Sequence, residues 1–137
     1  MAQKVCAVQY CYLMVKDRPG EGMKVLKALK KARVNLLAFS GFPGGGKLAQ
    51  LDFVTEDMQG LKVVARTQKW KLSPVKRGFL VWGEDRIGAV SDIFEKLAAA
   101  KINVIASDAV TAGAGRFGMI LWVKPSSYAK AKKVLRA

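Results

Sequence analysis

The chain repeats itself with an offset of 68 residues. The stretch Asp17-Arg18-Pro19-Gly20 returns as Asp85-Arg86-Ile87-Gly88, and Asn35 returns as Asn103. A repeat of this length indicates that two copies of one small module make up most of the 137 residues. Two such copies leave no room for a separate catalytic domain.

The composition is that of a folded but strongly basic chain. Hydrophobic residues make up 51% of it, and the net charge is +14, of which residues 1–68 carry +6 and residues 69–137 carry +8. Charge spread over both copies suits a nucleic acid, an anionic surface or a carboxylate ligand, and an ordinary basic protein surface explains it equally well. The sequence shows no signal peptide and no membrane span of roughly 18–20 apolar residues. We therefore expect a cytoplasmic protein with no membrane partner.

Hydrophobic periodicity predicts the same element order in both copies. In the first copy, the expected elements are a strand over 4–16, a helix over 19–33, strands over 35–42 and 48–55, a helix over 58–68 capped by Asp57, and a short closing strand over 70–73. In the second copy, they are a strand over 78–84, a helix over 87–100, strands over 103–111 and 116–124, and a helix from Pro125 to about Arg136. The order is βαββαβ, except that the second copy has no closing strand of its own.

The repeat itself suggests where the missing strand lies. Carried back by 68 residues, the closing strand near residues 71–75 falls on residues 3–7. An unpaired sheet edge is a liability, so we expect residues 2–7 to pair with the second repeat. The predicted division is a first repeat over 1–74 and a second over 75–137. Because each helix has a single apolar stripe, we expect one antiparallel sheet from both repeats with all helices on one face.

The inventory of reactive side chains argues against an enzyme. The chain has no histidine, which excludes His-based acid–base catalysis, Ser-His and Cys-His nucleophile pairs and most zinc or iron sites. Cys6 and Cys11 have neither CxxC nor metal-knuckle spacing and are expected to be free thiols. We predict no catalytic residue, no metal and no cofactor.

Three glycine- or aromatic-rich stretches match known motifs only in part. Residues 41–47, GFPGGGK, match the front of a phosphate-binding loop, yet Leu48 replaces the required Ser or Thr, so a hairpin turn is expected. Residues 76–82 and 116–122 partly resemble an RNA-recognition strand. Leu80 and Met119 stand where stacking rings are needed, which favours core aromatics and leaves RNA binding as an alternative.

The repeated Asp-Arg-x-Gly and the repeated asparagine are the remaining candidates for a site. Structural roles are available, since Asp17 or Asp85 suits a helix cap and Asn35 or Asn103 a helix end. Their retention in both copies, while surface positions diverge, favours a function. In a βαββαβ unit we expect the turn and the asparagine to lie close together at one sheet edge. A helix start there would attract a carboxylate, and the glycine would let a ligand approach the backbone.

This pattern resembles the ACT-domain family. The resemblance rests on Asp17-Arg18-Pro19-Gly20 with Leu26, Leu29 and Val34-Asn35-Leu36, and on Asp85-Arg86-Ile87-Gly88 with Ile93-Phe94, Leu97 and Ile102-Asn103-Val104. It covers nearly the whole chain as two tandem copies and implies ferredoxin-like units packed side by side into one sheet. The family usually senses a small ligand, most often an amino acid, near the turn between the first strand and the first helix. Ile87 in place of proline and the missing last strand are departures of the second copy.

The resemblance implies a non-enzymatic regulatory module that forms a homodimer and binds an amino-acid-like ligand at the two turns and the repeat interface. The ligand-binding residues it implies are Asp17, Arg18, Pro19, Gly20, Asn35, Leu36, Asp85, Arg86, Ile87, Gly88, Asn103 and Val104. Two alternatives stay open: a basic RNA-binding protein that uses the sheet face, and a structural interaction module without a ligand.

Overall fold

The computed structural model describes residues 3–137. The elements are β1 (Lys4–Lys16), α1 (Glu21–Lys31), β2 (Ala38–Gly45), β3 (Leu48–Val54), α2 (Met58–Gln68), β4 (Lys76–Glu84), α3 (Ala89–Ala99), β5 (Val104–Gly113), β6 (Arg116–Val123) and α4 (Pro125–Leu135). The six strands form one antiparallel sheet in the order β2-β3-β1-β4-β6-β5. This confirms the predicted α+β class with a single sheet.

The chain divides into two compact units. The first module comprises Gln9–Lys76, and the second comprises residues 3–8 together with Arg77–Ala137. The 13-residue strand β1 therefore contributes to both, its early residues to the second module and its later ones to the first.

In the first module, α1 and α2 cover one face of the sheet. Residues 10–16 of β1 pair with β3, and β3 pairs with β2. Alternate strand side chains point at the helices because successive residues of a strand face opposite sides. The core that results consists of Cys11, Leu13, Val25, Leu29, Val34, Leu51, Phe53, Leu61 and Val64. On the opposite face, Tyr10, Asp52 and Val54 are also buried.

The second module follows the same plan with α3 and α4 over its own strands. Phe79 and Val81 of β4 are fully buried against Ile93 and Leu97 of α3. From α4, Tyr128 stacks its ring on Phe79 with centroids 4.7 Å apart. Val5 and Ala7 of β1 pack against the same core. The division between repeats predicted from the sequence stays a prediction; these contacts place residues 5 and 7 with the second core.

Several predicted boundaries shift, and each shift has a local cause. Strand β2 continues through Pro43 to Gly45 because it pairs with β3 up to the turn, which confirms the hairpin interpretation of the glycine-rich stretch. Residues 70–73 are not a regular strand. They still follow β1, since the backbone N–H of Ser73 donates to the carbonyl of Tyr12 at 2.9 Å and the Ser73 hydroxyl accepts from the Tyr12 N–H at 2.8 Å. Asp57 caps α2 as predicted, through the Gly60 N–H at 2.9 Å.

Candidate functional site

Both Asp-Arg-x-Gly turns are tied to the tip of the hairpin in their own module. The Asp17 N–H donates to the Lys47 carbonyl at 2.9 Å, and the Asp85 N–H donates to the Gly115 carbonyl at 2.8 Å. The repeated aspartates thus end β1 and β4 at the same point of each module. Neither of them caps the following helix, so the helix-cap interpretation of these residues is wrong.

The caps are the glycines of the motif. Gly20 and Gly88 occupy the N-cap positions of α1 and α3 with φ of +91° and +82°, a conformation that side chains disfavour. A Cβ built on either glycine meets nothing within 4 Å, so open space lies beside each helix start. The first N–H groups of these helices are bonded within the turn, Glu21 to the Arg18 carbonyl at 3.4 Å and Ala89 to the Arg86 carbonyl at 3.1 Å. The glycine caps offer no side chain to the N–H groups of the next two residues, and such groups suit an anion.

The asparagines lie at the other end of the helix from these turns. Leu37, just after Asn35, bonds to Val54 at the end of β3, whereas Asp17 bonds to Lys47 before β3 begins. Helix α1 has 11 residues, so its two ends are roughly 16 Å apart. The expectation that turn and asparagine lie close together within one copy is therefore wrong. A helix separates them, because the chain must traverse α1 before it reaches Asn35.

The neighbours of the asparagines are equally remote from the turns. The Asn35 carbonyl accepts the Thr55 hydroxyl at 2.8 Å, and its side chain is exposed, as is that of Asn103. Leu36 and Val104 are half-buried beside their module cores. Helices α1 and α3 end at Lys31 and Ala99, and the left-handed residues Arg33 and Lys101 follow their C-caps, so the asparagines do not end them.

In the second module, the turn opens into a surface pocket of about 280 Å³. Its walls combine the turn and the start of α3 with the hairpin β5–β6: Asp85, Arg86, Gly88, Ala89, Val90, Ser91, Ala109, Val110, Thr111 and Phe117. The Thr111 hydroxyl donates to the Asp85 carboxylate at 3.0 Å. This bond fixes the carboxylate at the pocket wall beside the helix start.

The arginine of each turn forms an ion pair with an acidic residue of the following helix. Arg86 pairs with Asp92 of α3, and Ile87 is fully exposed. In the first module, Glu21 lies 3.3 Å from both Lys24 and Arg18. The hydrogen bond from Lys24 and the charges of both cations lower the pKa of the Glu21 carboxyl. Pro19 precedes the cap and lies outside α1.

Of the turn residues predicted from the sequence, Asp85, Arg86 and Gly88 line this pocket, and the sequence did not indicate Ser91 or Thr111. The sequence gives Thr111 only as part of a strand, and only the pairing of Thr111 with Phe117 brings it to the turn. The repeat itself was an available signal, since Asp17 and Asp85 are each followed at similar spacing by a hairpin.

No family model matches the sequence, and a search of curated proteins finds no match. Solved structures do match. Protein BT0572 from Bacteroides thetaiotaomicron is 13% identical, with a TM-score of 0.82 over 96% of this chain and 88% of that one. The regulatory subunit of aspartate kinase from Thermus thermophilus is 14% identical, with a TM-score of 0.65 over 98% and 94%. That of Thermus flavus is 19% identical, with a TM-score of 0.60 over 98% and 92%.

The fold is ACT-like. The two aspartate kinase matches are regulatory subunits, and each aligns over more than nine-tenths of its length. At these identities the likeness concerns the backbone arrangement alone.

The ACT-like fold buries the rings that suggested RNA binding. Phe79 and Phe117 point under the helices and are no more than 5% exposed. On the other sheet face, Trp122 is 6% exposed and Trp82 is half-buried. Base stacking needs open ring faces. Phe79, Phe117 and Trp122 are therefore core residues, as the incomplete motif indicated, whereas Trp82 stays partly accessible.

Two further findings concern the described residues only. Over residues 3–137, no group of three His, Cys, Asp or Glu side chains is arranged to hold a metal ion. Within the same range, none of the helices has the length and hydropathy needed to cross a membrane.

Proposed function

We propose that the chain is a non-enzymatic regulatory module that binds a small amino-acid-like ligand. The observation that carries this proposal is the pocket at the second turn, where the Asp85 carboxylate lies beside the start of α3. A free amino acid carries an ammonium group and a carboxylate group on the same carbon atom. This pocket offers a partner for each.

The chemistry of the pocket matches a zwitterion. The Asp85 carboxylate accepts hydrogen bonds from an α-ammonium, while the N–H groups at the start of α3 favour an α-carboxylate. Thr111 holds the Asp85 side chain in place with its hydroxyl at 3.0 Å, which lowers the ordering cost of binding. Val90, Val110 and Phe117 provide apolar surface for the ligand's side chain.

The first turn is proposed as a second site of the same class. It has the same glycine cap and the same backbone link from Asp17 to its hairpin. A ligand at either turn would regulate by its different affinity for two states of the protein or of a partner. The regulatory subunits among the similar structures support this proposal.

Titration calorimetry with each of the twenty amino acids at millimolar concentration tests the proposal. Asp85→Asn should weaken binding by about 1.5–3 kcal/mol, the usual value of a hydrogen bond to a charged group. Glu95→Gln removes the same charge from an exposed position of α3 and serves as the control. If no amino acid binds, the sensor proposal is overturned.

Homodimer formation is part of the same proposal and rests on the edge strand β5. Nearly all of its ten residues are exposed, including Ile105 at 52% and Val110 at 68%. A long exposed edge is ready to pair with another chain. Light scattering should give the mass of a dimer, and Ile105→Lys, outside the pocket at the second turn, should shift it toward the monomer.

A further inference from the structure

The first module contains a basic pocket that neither Asp-Arg-x-Gly turn lines. It has a volume of about 390 Å³ and lies among the end of β1, the start of α1, the end of α2 and the segment that follows. Its lining residues are Leu13, Met14, Val15, Lys16, Glu21, Lys24, Val25, Gln68, Lys69, Trp70 and Lys71. None of residues 17–20 lines it. The volume lies within the range of small-molecule sites, about 300–1,000 Å³.

Four lysines from different elements converge on the basic pocket. Lys16 ends β1, Lys24 lies on α1, and Lys69 and Lys71 follow α2. The one carboxylate in the lining, Glu21, is held between Lys24 and Arg18. Lys69 caps α2 in the left-handed conformation with φ of +60°, so its position is set by the helix end. Cations gathered by separate elements favour a ligand with more than one negative charge.

An aromatic ring lies among these lysines. Trp70 is half-buried. Its backbone N–H donates to the Ala65 carbonyl at 2.8 Å, which fixes its backbone to α2. Buried Leu13 and Val25 form the apolar part of the lining. Trp70 also packs against the core of the first module, and its accessible part lines the pocket, where a planar ring can contact it.

The repeat shows that this arrangement is specific to the first module. With the 68-residue offset, Lys16 corresponds to Glu84, Lys24 to Asp92 and Lys71 to Gln3. In the second module, the Gln3 amide donates to the Ala89 carbonyl at 2.7 Å. The fold therefore does not require lysine at these positions, since its second copy is built with two carboxylates and a hydrogen-bonded amide.

We propose that the basic pocket binds a small phosphorylated molecule with an aromatic ring, a nucleoside phosphate in chemical class. A phosphate monoester carries a charge of about −1.5 to −2 at neutral pH, which matches several lysines better than a single carboxylate does. The aromatic ring stacks on Trp70, and the phosphate lies among Lys16, Lys24 and Lys71. This site is separate from the amino-acid site and does not depend on it.

Titration calorimetry and tryptophan fluorescence with adenosine 5′-monophosphate test the proposal, with adenosine and inorganic phosphate as partial ligands. We expect the monophosphate to bind at least about tenfold more tightly than either part. Trp70→Phe should keep binding but remove most of the fluorescence change. The variant Lys16→Glu/Lys24→Asp/Lys71→Gln copies the second module and should lose binding by more than tenfold.

The control carries the same change of charge at exposed lysines outside the pocket, as Lys27→Glu/Lys31→Glu/Lys62→Gln. Circular dichroism checks that both triple variants fold. If the triple variant of the pocket lysines does not fold, the single variant Lys71→Gln gives a second test. Equal loss in the control, equal affinity for adenosine, or no binding at millimolar monophosphate would each overturn the proposal. Amino-acid titrations on the same variants report separately on the turn sites.

Discussion

The two modules share the same order of elements but differ in charge around the turn between the first strand and the first helix. Both keep the Asp-Arg-x-Gly turn, the glycine cap and the link from aspartate to hairpin. Around the turn, Lys16 and Lys24 of the first module correspond to Glu84 and Asp92 of the second. The comparison teaches that the repeated motif keeps the same turn geometry in both modules, while the residues beside it change the sign of the local charge.

The sheet face away from the helices shows a second difference. Asp52 of β3 is buried in the first module and accepts a hydrogen bond from Gln50 at 2.9 Å. The corresponding residue of β6 is Ile120, which is also buried. Burial raises the pKa of the Asp52 carboxyl. It also raises the pKa of Tyr10 to about 12, with the Asp52 charge as a further cause. Only the first module thus places a titratable group at this position.

The largest expected effects test whether the two cores are equivalent. Leu29 and Leu97 occupy the same repeat position and are 1% and 0% exposed. Leu29→Ala and Leu97→Ala should each lower the free energy of unfolding by about 2–5 kcal/mol, because each leaves a cavity. Urea denaturation measures this, with exposed Met23→Ala as control. A loss confined to one variant would show that the cores do not contribute equally.

The glycine caps give the next effect. Gly20→Ala and Gly88→Ala place a side chain at positive φ but into open space, so backbone strain is the only cost. We expect each to reduce stability by about 1 kcal/mol. Thermal unfolding of both variants measures the loss. A much larger loss at one glycine would mean that the two turns are less alike than their geometry indicates.

The two modules also differ in how the N-termini of α2 and α4 are capped. Asp57 caps α2, whereas α4 begins at Lys124, whose side chain makes no capping bond. Asp57→Ala should cost about 1 kcal/mol, and Lys124→Ser should add roughly 0.5–1 kcal/mol. Chemical denaturation of both variants checks the opposite signs. Lys130→Ser, on the exposed side of α4, is the control for charge removal.

The smallest expected effect is the pH dependence that Asp52 confers on the first module. Because its pKa is raised on folding, the folded chain holds this proton more tightly than the unfolded chain. The resulting stabilisation is complete below the unfolded pKa and is lost as pH rises through the folded pKa. Asp52→Asn should therefore gain stability relative to the natural chain between about pH 3 and pH 7. Urea titrations of both proteins over this range measure the difference, and a constant offset would contradict the assignment.

The sequence predicted the elements well because their signals are local. Apolar spacing at Val25 and Leu29 placed α1, and Asp57 marked the start of α2. The glycine-rich residues 43–46 were expected to be a turn only, yet Pro43 and Gly45 pair with β3. Glycine composition alone does not report whether a neighbouring strand supplies partners.

The site was predicted only in part because its other half is not local. The motif marked Asp85 and Gly88, which do lie at one helix start, but nothing in it indicates Thr111. The same limit explains the error over Asn35, since a shared motif does not reveal that α1 separates its two ends. The basic pocket was missed because its lysines come from three elements and belong to no motif.

Because strand β1 contributes to both modules, the segments of the two modules are synthesised in a different order. The first module consists of one uninterrupted segment, Gln9–Lys76, whereas the second joins residues 3–8 to Arg77–Ala137. The second module is therefore discontinuous in sequence, because residues 3–8 precede the first module and the remainder follows it. The contact between Gln3 and Ala89 spans 86 residues, so that strand waits for its partners until the rest has emerged. The second module can therefore fold only after the whole of the first module has been synthesised.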